Sequence, residues 1–83
     1  MDKRDELQVF GGVVRRLRLQ QGVSQETLAA SASLHRTYIS LVERGLRNPS
    51  LTVIRQLATA LHVTATELVC AFEAEIKRAN KVG

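Results

Sequence analysis

SQETLAASASLHRTYISLVERGLRNPSL, residues 24 to 51, sets out two short helices, a tight turn between them, and the start of a third. Ser24 is a good N-cap, and Glu26 lies in the first turn behind it, where the helix dipole favours an anion. The helix that follows runs over about 25 to 32 and buries Leu28 and Ala29, its small residues permitting close approach. Ala32-Ser33-Leu34 forms the turn, with Leu34 packing inward. A second helix starts near His35 or Arg36 and carries Ile39 and Val42 inward as far as Gly45. Residues 45 to 49 form a loop closed by Pro49. Ser50 then caps a further helix with Leu51, Ile54, Leu57, Ala58 and Leu61 on one stripe.

The same reading extends to both ends of the chain. Leu7, Phe10, Val14 and Leu17, with Val9 and Val13 beside them, recur at helical spacing, and Gly22 ends that helix in a left-handed residue. Gly11 and Gly12 each cost about 1 kcal/mol relative to alanine in a helix, which points to close packing there. Thr64 and Glu67 make a capping box opening a fifth helix over about 65 to 79. Its apolar stripe, Leu68, Phe72 and Ile76 with Val69 alongside, runs past the point where a five-helix core needs it, and Cys70 reads as a small apolar residue on it. The expectation is an all-α fold of five helices in one domain, since 83 residues are too few for two independent cores.

Composition removes several classes of protein. The chain is 45% hydrophobic and 24% charged, so it folds, and with three aromatic residues and no Trp its core is aliphatic. One cysteine makes no internal disulfide and holds no zinc alone. No apolar run approaches the length needed to span a bilayer, and MDKRDE is no secretory leader. A soluble, cytoplasmic protein with no membrane partner is expected. The net charge of +4 is unevenly spread. Residues 7 to 66 hold seven Arg, no Lys and only Glu26 and Glu43, whereas the flanking ends are close to neutral. Such a core suits a polyanion.

A helix pair with an apolar back and a hydrogen-bonding front describes a helix-turn-helix, here over about residues 24 to 44. Ile39 and Val42 supply the back; Arg36, Thr37, Ser40 and Leu41 fall on the front. Arg donates two hydrogen bonds to guanine O6 and N7, and the methyl groups of Thr and Leu meet a thymine methyl. Ser24, the amides near Gln25, the Tyr38 hydroxyl, and Arg44, Arg47 and Asn48 are the backbone anchors. There is no catalytic Ser-His-Asp set, no glycine-rich phosphate loop and no buried carboxylate pair, so no enzyme is expected. His35 and His62 stand too far apart in sequence for a metal motif; neither a metal nor any other cofactor is expected.

The stretch resembles the Cro/repressor-type, or Xre, helix-turn-helix family over roughly residues 9 to 70. The most specific parts are Arg18-x3-Gly22-x-Ser24-Gln25-x2-Leu28-Ala29 and Ile39-Ser40-x2-Glu43-x-Gly45-x3-Pro49. Within that family, RTYIS followed by ER and RN is similar to the controller proteins of restriction–modification systems. The resemblance implies a lambda-repressor-like fold and a small dimeric activator or repressor that binds operator DNA. It implies that Arg36 and Thr37 read bases with Ser40 and Leu41 behind them, and that Gln25 contacts phosphate while bracing the recognition helix. It further implies that Tyr38, Arg47 and Asn48 hold the sugar–phosphate backbone, and that Arg18 and Glu43 pair to bridge the first and third helices. His35 stands where a small capping residue is common, which leaves the cap of the recognition helix open.

One helix-turn-helix covers only a few base pairs, so two copies reading half-sites one helical turn apart are expected. Val69, Phe72 and Ile76 on the fifth helix, helped by Val53 on the fourth, are the expected interface of that homodimer. Alternatively, Phe72 folds back on the first helix and closes the monomer core. Glu26 is an acid that could meet RNA polymerase. Three other readings stay open: a plasmid or phage-type repressor, an antitoxin-like module whose main partner is a protein, and a non-specific nucleic-acid or RNA binder, which would show steep salt dependence but little preference between sequences. A neighbouring methyltransferase and endonuclease pair, against a small toxin frame, would separate the controller from the antitoxin.

Overall fold

Side chains at the helix starts determine where each element begins. A computed structural model describes residues 1–81, which form α1 (Lys3–Gln20), α2 (Gln25–Ala32), α3 (Arg36–Glu43), α4 (Leu51–Ala60) and α5 (Ala65–Asn80). Asp2, Ser24, Ser50 and Thr64 each accept a hydrogen bond from the backbone N–H three residues on. That satisfies one of the amides each helix start leaves unpaired. At α5 the box is reciprocal, with the Glu67 carboxylate accepting from the Thr64 backbone N–H at 2.8 Å. This bond, then the one to the Thr64 side chain, holds the Glu67 carboxyl below its usual range. The cap of α3 is the His35 ring, whose Nδ1 accepts from the Thr37 backbone N–H at 3.1 Å.

The breaks between helices are made by left-handed residues. Gly22 follows α1 at φ 69°, and Gly45 follows α3 at φ 76°. Two non-glycine residues take the same conformation, Ser33 after α2 and His62 after α4. Their backbone N–H groups turn back to Ala30 and Thr59 carbonyls, closing each helix in a short turn.

The core is mainly aliphatic, but it also takes in the Phe10 ring, which the expectation of a purely aliphatic interior missed. Val14, Leu28, Ile39, Val42, Leu57, Leu61 and Leu68 are almost wholly removed from water. Each such side chain contributes about 1.5–3 kcal/mol by leaving water. α1 packs on α3 and α5, while α2 is held between α3 and α4. Two glutamines lock the seams: Gln56 Nε2 donates to the Ala32 carbonyl at 3.1 Å, and Gln21 Nε2 donates to the Leu61 carbonyl.

Two expectations about packing need correction. Leu51 is 75% exposed rather than part of the α4 stripe. It is the first residue of the helix, one turn ahead of Ile54, where the buried stripe begins. Gly12 likewise is not closely packed, since a Cβ there meets nothing within 4 Å, whereas Gly11 lies against the end of α3. Gly12 is therefore a helix-interior glycine without a packing reason. Gly12→Ala is expected to raise stability by up to about 1 kcal/mol. A thermal melt should show a midpoint about 4–8 °C higher; an unchanged or lower midpoint would contradict the open surroundings of this position.

On α5, Leu68 is fully buried, Phe72 and Ile76 are half-buried, and Val69 and Cys70 are exposed. The Phe72 ring meets Phe10 edge to face, with centroids 5.7 Å apart. Phe72 thus does close the core against α1, leaving only part of its surface for any partner.

Candidate nucleic-acid interface

A helix that reads a groove must be held at a fixed angle by the rest of the domain, and here one buried carboxylate does much of that. Glu43, the last residue of α3, accepts from Arg18 twice, Nε to Oε2 at 2.7 Å and Nη2 to Oε1 at 3.1 Å. The same Oε1 accepts from Gln25 Nε2 at 3.0 Å, and Arg18 Nη1 donates to the Val23 carbonyl at 2.8 Å. α1, the linker after it, the first residue of α2 and the end of α3 are therefore joined at one point. The Arg18 and Glu43 side chains are only 9% and 3% exposed, so the pair is little screened by solvent. The Glu43 hydrogen bond raises the Arg18 pKa above its ordinary value.

The front of α3 is left open by this arrangement. Arg36 and Thr37 are exposed and Ser40 half-exposed, and with Gln25 they line a hollow of about 200 Å³. Eight helical residues extend about 12 Å, comparable to the width of a major groove. Leu41 is half-buried and does not line the hollow. Tyr38 is half-buried, packed against the core. Arg44 turns back on its own helix, Nε to the Ser40 carbonyl at 3.4 Å. Arg47 and Asn48 are exposed in the loop. Asn48 also borders a larger, mostly apolar groove of about 550 Å³ walled by Leu7, Phe10, Ile54, Val69 and Phe72. The Ser24 hydroxyl is occupied locally, accepting from the Thr27 N–H and donating to Thr27 Oγ1, both at 3.0 Å.

Two features of this surface were not legible in the sequence. The His35 cap depends on a ring nitrogen as acceptor, a role that propensity tables give to smaller side chains. The groove beside Asn48 joins α1, the loop, α4 and α5, and no local pattern reports such a meeting. Among the described residues, no single helix is long and apolar enough to cross a membrane.

The helix-turn-helix family profile matches residues 14–68 of this chain. The chain belongs to the helix-turn-helix family. Its Xre-type relatives are DNA-binding transcriptional regulators and not enzymes. The control protein C.BamHI of Bacillus amyloliquefaciens is 48% identical over 62 residues, which cover 74% of this chain and 76% of that protein. The crystal structure of the restriction–modification controller protein C.AhdI from Aeromonas hydrophila is 50% identical. It superposes with a TM-score of 0.75 over 77% of this chain and 97% of that one. The C.Esp1396I controller, solved as a tetramer in complex with its natural 35-base-pair operator, is 32% identical. Its TM-score is 0.79, over 86% of this chain and 93% of that one. This helix-turn-helix protein thus shares the all-α, five-helix fold of the controller proteins.

Proposed function

We propose that this helix-turn-helix protein is the controller of a restriction–modification operon and binds a two-fold-symmetric operator as a homodimer. The observation that carries this reading is the exposed front of α3. Arg36, Thr37 and Ser40 stand together with Gln25 while Glu43 and Arg18 fix the helix from behind. Arg36 and Thr37 read base edges from the first turn of α3, with Ser40 and Leu41 behind them. Ser24 and Gln25 at the start of α2, Tyr38, and Arg44, Arg47 and Asn48 beyond α3 hold the sugar–phosphate backbone. Val53, Val69, Phe72 and Ile76 form the interface between copies, and the exposed Leu51 adds apolar surface on the same helix as Val53. RNA polymerase is a further partner, with Glu26 as the acid available to it.

Selection of random duplexes on the purified protein tests this reading. A two-fold-symmetric consensus is expected. Arg36→Ala should lose about 1–3 kcal/mol and relax the preference at one base pair of each half-site. Arg47→Ala should weaken all duplexes alike and flatten the dependence of affinity on salt. No enriched sequence, or the same uniform loss from both variants, would refute the division into readers and anchors.

A further inference from the structure

The His35 ring has two edges, and the fold uses only one of them. Its Nδ1 accepts the Thr37 N–H at 3.1 Å, so in this arrangement Nδ1 carries no proton. A neutral imidazole has one donor and one acceptor, so the proton sits on Nε2. The ring is rigid, and its Nε2 edge lies away from the nitrogen bonded to the helix. His35 is exposed and immediately precedes Arg36 and Thr37, both exposed on the front of α3. The cap thus leaves an oriented N–H donor, with no net charge, at the leading end of the recognition helix.

We infer that His35 is a DNA-contacting residue that donates its Nε2–H to a backbone phosphate while its Nδ1 caps α3. This rests on the reading above that the first turn of α3 faces DNA. The chemistry favours histidine over the usual caps. An Asp cap carries no donor and repels a phosphate, and a Ser cap keeps its O–H donor on the same oxygen that holds the helix amide, short of where the imidazole edge reaches. Imidazole separates the tasks on opposite sides of one rigid ring. The contact makes the recognition helix and the phosphate that limits its depth parts of one hydrogen-bonded chain, from the Thr37 amide through the ring to DNA. Because the donor is neutral, it fixes position without adding a counterion to the release on binding.

The test separates capping from contact by using caps that differ in what they offer DNA. His35→Ser, His35→Asn and His35→Ala are compared by thermal melting. They are also compared by fluorescence anisotropy, at about pH 8, on a duplex carrying the selected consensus and on a shuffled duplex. Ser and Asn both cap well, so their melting midpoints should equal or exceed that of the parent, while Ala should melt lower. His35→Ser should nevertheless bind both duplexes about 5-fold more weakly, with an unchanged salt slope. His35→Asn, which keeps an acceptor for the cap and an N–H for the phosphate, should recover to within about twofold. The 15N resonances of the His35 ring should show Nδ1 unprotonated and Nε2 protonated. Full affinity in His35→Ser would reduce the ring to a cap, and a protonated Nδ1 would remove the cap that orients the ring; either result overturns the inference. Arg36→Ala serves as the control. If it loses discrimination while His35→Ser binds normally, only the phosphate contact fails; if Arg36→Ala also binds and discriminates normally, the placement of α3 against DNA fails with it.

Discussion

Replacing Glu43 with alanine is expected to remove about 3–5 kcal/mol of folding stability, because it leaves a buried charge without its partner. The Arg18 guanidinium would keep only the Val23 carbonyl and lose both carboxylate bonds, and Gln25 would lose its acceptor. A domain of this size is stable by only about 5–15 kcal/mol in total, so a large share would be lost. Urea unfolding should show a midpoint about 2 M lower. Replacing both partners, Arg18→Met with Glu43→Leu, should restore most of that stability, since neither charge is then left in the interior. That double variant isolates the second consequence, the loss of the tie from α3 to Gln25. It is expected to fold but to bind DNA more weakly than the parent. A single Glu43→Ala variant whose midpoint moves by the equivalent of less than about 1 kcal/mol would show that water solvates the pair.

The sequence reading and the structure part company at identifiable places. Helix starts are legible because Ser24, Ser50 and Thr64 act through residues three positions away, and such local chemistry is written in order along the chain. The Arg18–Glu43 bridge spans 25 positions; no periodicity reveals it, and only the family resemblance implies it. Helical spacing puts Leu51 on the α4 stripe because it gives the angle of a residue but not what lies opposite, and this first residue stays exposed while Val53 and Ile54 pack on the core. The front of α3 was readable because it is what remains once Ile39 and Val42 are turned inward. Its companion Gln25, on another helix, joins that front only through the shared carboxylate. Phe72 shows the limit of reading an apolar stripe as surplus. Both uses fit the spacing, and only the Phe10 contact shows that the monomer takes the ring first.

Gly11→Ala is expected to act in the opposite sense to Gly12→Ala, although the two residues are neighbours with the same intrinsic helix cost. A Cβ on Gly11 would lie 2.6 Å from the Glu43 carbonyl oxygen, 2.8 Å from its carbonyl carbon, and closer still to the Val42 carbonyl oxygen. All three are backbone atoms in the last turn of α3, so no side chain can swing aside to make room. Either α1 and α3 separate, or α3 shifts along α1 and carries Arg36 and Thr37 with it. Forcing a methyl group into such a contact costs about 1–3 kcal/mol, sometimes more, and outweighs the gain from removing a flexible residue. The melting midpoint should fall by about 8–16 °C if the net loss is near 2 kcal/mol. The shift of α3 adds a functional consequence that a simple loss of stability would not. Measured well below its melting midpoint, Gly11→Ala should also bind the selected operator more weakly, because under the proposed function the α1–α3 distance sets how far Arg36 and Thr37 reach beyond the following loop. Midpoints that move together in Gly11→Ala and Gly12→Ala would refute the close approach. A lowered midpoint with undiminished operator affinity would show that the helices separate without moving the reading surface.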